Sequence, residues 1–141
     1  MAEDNLVAKL VQQHRGLQND LSLTAESLKT SRPDSGEIDK SLKRFAADLA
    51  AHLELENNTF YVQLIEKMKE KGQDTAKTEE FIAEMGDIGK AVMAFLDKYS
   101  DTEKIGSQLA DFNKELPAII SVLNLRIESE EAGVYAYWGL F

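Results

Sequence analysis

The chain reads as an all-α protein, an antiparallel up-down bundle of four helices. Three observations predict this. Apolar residues recur at steps of three and four along four long stretches, the mark of a helix with one buried face. No stretch shows the period-two alternation of a strand. Only two prolines and eight glycines interrupt 141 residues, which leaves long segments free of helix breakers.

The first helix carries Leu6, Leu10, His14, Leu17 and Leu21, with Leu28 near its end. The segment from Ser31 to Gly36 breaks it, punctuated by Pro33. The second stripe is Ile38, Leu42, Phe45, Leu49, His52, Glu56 and Phe60, continuing to Leu64 and Met68. Gly72 reads as its stop, after lysines that suit the negative end of a helix dipole. The third is Phe81, Met85, Ile88, Val92, Phe95 and Tyr99. The fourth is Ile105, Leu109, Phe112, Leu116, Ile119, Leu123, Arg126, Glu130, Val134 and Tyr137. Pro117 lies inside this last segment and is expected to kink or divide it. The stretch from Ser100 to Gly106 reads as partly loop. Short connections make sequential helices antiparallel neighbours.

Residues 1–141 have the length of one domain, with a 43% hydrophobic fraction that suits a packed core. A net charge of −9 argues against nucleic-acid binding, which needs a basic stripe. The absence of cysteine excludes disulfides and thiolate chemistry. The start, Met1-Ala-Glu-Asp-Asn5, is too acidic for a signal peptide, and no apolar run approaches the roughly 20 residues that span a bilayer. The expectation is an acidic cytoplasmic protein without nucleic-acid or membrane partners.

Against this pattern, His14, His52, Glu56, Arg126 and Glu130 all occupy positions that the spacing assigns to the interior. Burying charge costs several kcal/mol per ion unless it is paired or ligates a metal. His14 and His52 each lie about 16 residues from the first turn, roughly 24 Å along their helices, and so side by side. His52 and Glu56, four apart, share a helix face, and Arg126 and Glu130 repeat that relation. The two segments share a template: a head residue, a carboxylate four residues on, and an apolar-Tyr pair at Phe60-Tyr61 and Val134-Tyr135. The repeat extends to the other helices, where Met85 aligns with His14. One hairpin therefore offers His14, His52 and Glu56, and its pseudo-symmetric mate offers Met85, Arg126 and Glu130.

These residues resemble the hemerythrin family, specifically the bacterial hemerythrin-like HHE cation-binding domain, over nearly the whole chain. The family pattern is a histidine in the first helix, His-x-x-x-Glu in the second, a histidine in the third and His-x-x-x-Glu in the fourth. Here those positions hold His14, His52 with Glu56, Met85, and Arg126 with Glu130. The resemblance implies a four-helix bundle around a non-heme di-iron centre that serves in oxygen binding, iron storage or sensing. It makes His14 and His52 ligands of one iron and Glu56 and Glu130 bridging carboxylates. Met85 and Arg126 fall where the other iron's ligands belong. A thioether is a poor ligand for hard iron and a guanidinium cannot release a proton to bind a cation, so at most one metal position survives.

Two outcomes follow. One divalent metal, Fe or else Mn or Zn, sits on His14, His52, Glu56 and Glu130, together with a small diatomic ligand. Alternatively the centre holds no metal, Arg126 forks to the carboxylates, and the bundle acts as an interaction or regulatory module. A surviving dinuclear site would need ligands from elsewhere.

Met85 reads as core. Tyr61 and Tyr135 are expected to bury their rings and send their hydroxyls to water, the alternative being a bond to the site. Glu54, Glu128 and Glu131 lie off the stripes and read as solvated, with Glu131 held in reserve as a substitute ligand. Gly16, Gly86 and Gly89 read as helix-interior glycines, and Gly16 and Gly86, which align in the repeat, mark either a close helix approach or tolerated glycines. The aromatic tail from Tyr135 to Phe141 is expected to cap the bundle and to offer a homodimer contact. No nucleophile triad, phosphate loop or dinucleotide fingerprint is present, and the chain reads as a non-enzyme.

Overall fold

The structure is a computed structural model that describes residues 2–140, with side chains described from Asn5 to Leu140. The side chains of the acidic start and the last aromatic of the tail, Phe141, lie outside that range. Among the described residues there is no strand. The helices are α1 (Ala2–Leu28), α2 (Ser35–Leu55), α3 (Tyr61–Glu70), α4 (Ala76–Lys98), α5 (Thr102–Ser107), α6 (Leu109–Ala132) and α7 (Val134–Trp138). A π-helical turn, Glu56–Phe60, joins α2 to α3 without a break. Four rods result: α1, α2 with α3, α4, and α6 with α7.

Local chemistry sets the ends. Asp34 caps α2, its carboxylate accepting from the backbone of Gly36 and Glu37. Gly72, at φ +70°, ends α3 with a complete Schellman pair, Gly72 N–H to Lys69 carbonyl and Gln73 N–H to Met68 carbonyl. In the hairpin of α1 and α2, Gln13 faces His52 and Thr24 faces Ser41, so ascending one helix descends the other.

Two expectations about the last segment need correction. α6 runs through Pro117 instead of dividing there. The break falls at Gln108 (φ −127°, ψ 33°), and the preceding residues form the short helix α5, capped by Asp101. The exposed proline sits in the third turn of α6. The helix ends again at Gly133, and this re-phases the tail. Val134, Tyr135 and Trp138 turn inward, while Tyr137 stays half-buried.

Two apolar clusters flank the polar level. The larger, built on Leu17, Phe45, Val92, Phe95, Phe112 and Leu123, fills the end near the first turn. The smaller is aromatic: Phe60, Tyr61, Tyr135 and Trp138 pack with Leu10, Leu64 and Met68. The tail therefore caps the bundle, as its composition suggested. Between these clusters lie His14, His52, Glu56, Arg126 and Glu130, all buried.

Candidate metal centre

α1 supplies His14, the end of α2 supplies His52, the π-turn begins on Glu56, and α6 supplies Arg126 and Glu130. One ligand atom from each of His14, His52, Glu56 and Glu130 lies within 4.8 Å of every other. The imidazole rings are 4.6 Å apart. The sequence-predicted set thus converges, and the structure contains a buried His/His/Glu/Glu group that could hold a metal.

Both imidazoles are aimed from behind. His14 Nδ1 lies 2.8 Å from Glu131 Oε2, and Glu131 in turn pairs with Arg15. His52 Nδ1 lies 2.8 Å from Gln13 Oε1. An acceptor at each Nδ1 fixes that nitrogen as the N–H, which turns the Nε2 lone pairs inward. His14 Nε2 then faces Glu130 Oε1 at 3.2 Å and His52 Nε2 faces Glu56 Oε2 at 3.5 Å. Lone pair meets carboxylate in both places. His52 Nε2 is buried and makes no hydrogen bond. A metal ion, or added protons, could relieve this gathering of acceptors.

The other half carries its cation covalently. Arg126 Nη2 donates to Glu56 Oε1 at 2.7 Å, Nε to Glu130 Oε1 at 3.4 Å, and Nη1 to the Met85 carbonyl at 3.0 Å. Burial works against the guanidinium charge, but Glu130 and Glu56 outweigh it and raise the Arg126 pKa above its ordinary value. Burial likewise pushes both carboxyls up. At Glu56 neighbouring His52 and Glu130 and the charge of Arg126 prevail over burial, holding it below the usual carboxylate range. Glu130 stays above that range, because burial and neighbouring Glu56 exceed the help from His14 and Arg126.

Tyr61 and Tyr135 correct the expectation that their hydroxyls face water. Tyr61 donates to Glu130 Oε2 at 2.6 Å and Tyr135 to Glu56 Oε2 at 2.5 Å, both buried. Burial, then the charges of Glu56 and Glu130, raise both phenol pKa values far above normal. The pattern is reciprocal: the tyrosine closing each copy of the repeat donates to the carboxylate of the other copy. Each tyrosine lies five residues beyond its own copy's glutamate, where a regular helix would point it away from the core. The π-turn after Glu56 and the break at Gly133 after Glu130 supply the missing rotation.

Glu131 also differs from its expected place. It is half-buried and bonded to His14 and Arg15, while Glu54 and Glu128 are exposed as read. Gln13, which orients His52, escaped the sequence reading. The levelling that sets His14 beside His52 was the available signal. Gly16 and Gly86 mark no close approach, since a Cβ on either would meet nothing within 4 Å. Met85 is buried as core, and its carbonyl rather than its sulfur serves the site.

The fold and centre define a helical bundle with a buried polar core that could hold a metal. The family model of the hemerythrin HHE cation binding domain matches residues 5–138. The chain belongs to that family. Searches of curated proteins and of solved structures returned no match. No helix among the described residues is long and apolar enough to cross a membrane.

Proposed function

We propose that this protein binds a single divalent transition metal, Fe(II) or else Mn(II) or Zn(II), through His14, His52, Glu56 and Glu130. In this reading it serves as a non-enzymatic metal-binding or sensing domain. The observation that carries it is the His52 Nε2 atom, buried without a partner and aimed by Gln13 at Glu56. The donor set fits such a metal: two neutral imidazoles and two carboxylates suit Fe(II), Mn(II) and Zn(II) alike. Glu131 and Gln13 are the outer-shell acceptors that such histidines use. Arg126 stands for the second metal, since with two carboxylates it leaves one negative charge for a cation to meet.

When bound, the metal would supply open coordination for a small diatomic ligand. The chain's own residues do the rest: Tyr135 and Tyr61 hold the far carboxylate oxygens, and the aromatic cluster excludes water from that side. Elemental analysis of protein purified without chelator tests the reading. About one equivalent of Fe, Mn or Zn is expected, lost in His52→Ala. Less than a tenth of an equivalent, after reconstitution under anaerobic conditions, would defeat it.

A second reading is favoured by two of the Arg126 bonds and the two tyrosine donors, which give each carboxylate oxygen of Glu56 and Glu130 one donor. In it the centre is metal-free, the imidazoles carry the missing protons, and the bundle is an interaction module. The same elemental analysis separates the two readings.

A further inference from the structure

We infer that Gly89 is the positioning residue of this centre: the absence of its side chain is what lets Arg126 take the place of a second cation. A Cβ built on Gly89 would stand 2.8 Å from Arg126 Nη1, closer than any carbon and nitrogen approach without a bond. Gly89 is buried on α4, one turn beyond Met85, whose carbonyl accepts from the same Nη1. The notch and the bond thus come from one short stretch of backbone. Neighbouring glycines do not share the property, because Gly16 and Gly86 have nothing within 4 Å of a built Cβ. Room for the guanidinium, not helix packing, accounts for residue 89. A mid-helix glycine otherwise costs stability relative to alanine.

The end of an arginine side chain ordinarily gives way to a new methyl group at little cost. Arg126 is held on three sides, by Glu56, Glu130 and the Met85 carbonyl, and a shift away from Gly89 stretches those buried bonds. A path outward does exist. An open groove of about 580 Å³ runs between Leu53, Asn57, Gly86, Gly89 and Met93, with Arg126 at its base. A side chain at 89 would push the guanidinium into this groove and strip Glu56 and Glu130 of their fixed cation. The inference concerns the seat of Arg126 and stands whether or not a metal fills the histidine half.

A substitution cycle on chelator-treated protein tests it. In the natural chain, Gly89→Ala is expected to lower Tm by several degrees. Arg126→Lys keeps the charge but lacks Nη1, the atom that would collide. In that background the same Gly89→Ala change is expected to raise Tm by about 3 °C, the ordinary gain of alanine over glycine in a helix. A matching loss in both backgrounds would overturn the inference. Should Gly89→Ala alone fail to fold, recovery of folding in the double variant supports the inference, and failure of both counts against it. Nitrogen NMR of the arginine side chains adds a readout that general destabilisation would not move. The Arg126 Nε–H should be protected from exchange in the natural chain and exchange freely in Gly89→Ala, and equal protection in the two would also contradict the seat.

Discussion

The two halves of the polar centre are built on one template and resolve the same problem in opposite ways. In the histidine half, His14 Nε2 and His52 Nε2 face carboxylate oxygens at 3.2 and 3.5 Å with nothing positive fixed between them. In the arginine half, the guanidinium bonds Glu56, Glu130 and the Met85 carbonyl, and the notch at Gly89 accepts it. One half could hold an exchangeable cation and the other holds a permanent one. A duplicated motif therefore need not mean a duplicated set of donors. The head residue of each copy decides, together with the backbone opposite it.

The largest expected effect comes from removing the permanent cation. Arg126→Ala leaves two buried carboxylates with one fewer positive partner and should cost about 3–5 kcal/mol in urea unfolding of chelated protein. Saturating Mn(II) should return part of that loss if the histidine half accepts metal. A loss below about 1 kcal/mol would mean that the carboxylates are neutral in the folded chain and that the halves do not differ in charge.

Next come the reciprocal tyrosines. Tyr135→Phe and Tyr61→Phe each remove a buried donor from a carboxylate, at 2.5 Å and 2.6 Å respectively, and should each cost about 1–3 kcal/mol. Tyr135→Phe should be the costlier of the two, because Tyr135 also stacks on His14 with ring centroids 5.3 Å apart. Equal losses would show that the stacking contributes nothing.

Acid titration sharpens the comparison between the carboxylates. Glu56 is held below its unfolded value, so it stabilises the fold above about pH 4.3 and the contribution fades as pH falls further. Glu130 is raised and works the other way, its cost growing as pH climbs past the unfolded value. Glu56→Gln should therefore flatten the acid limb of stability against pH, and Glu130→Gln should raise stability near neutrality relative to Glu56→Gln. Identical profiles for the two variants would erase the distinction.

The smallest effect is expected away from the centre. Asp20, buried between α1 and α2 beside Asp48, has an oxygen without a partner and a pKa raised to about 7, chiefly by burial. Its cost accumulates from about pH 4 to pH 7 and is complete above that. Asp20→Asn should be stabilising at pH 8 and without effect at pH 4, since the aspartate is then protonated. A gain at both pH values would assign the effect to packing.

Much of this was legible in the sequence because helix periodicity is a long-range average. Stripes over four rods placed His14, His52, Glu56, Arg126 and Glu130 inside, and the repeat set Arg126 against the two carboxylates it bonds. Local departures from periodicity were not legible in the same way. Tyr61 and Tyr135 sit off any regular stripe, and only the π-turn and the break at Gly133 bring them inward. A hint was present: from His52 to Met68 the buried residues advance by four consecutive steps of four, more than an α-helix sustains on one face. Gln13 and Gly89 act through a neighbouring helix. No pattern within a single helix could reveal them.

In the proposed function one half takes a metal while the other keeps its guanidinium. Crystals grown with Mn(II) and measured for anomalous scattering test it most directly. One peak is expected among His14, His52, Glu56 and Glu130, with Arg126 still bonded to Glu56. Two peaks, a peak in the place of the guanidinium, or no peak at saturating Mn(II), Fe(II) and Zn(II) in turn would contradict it.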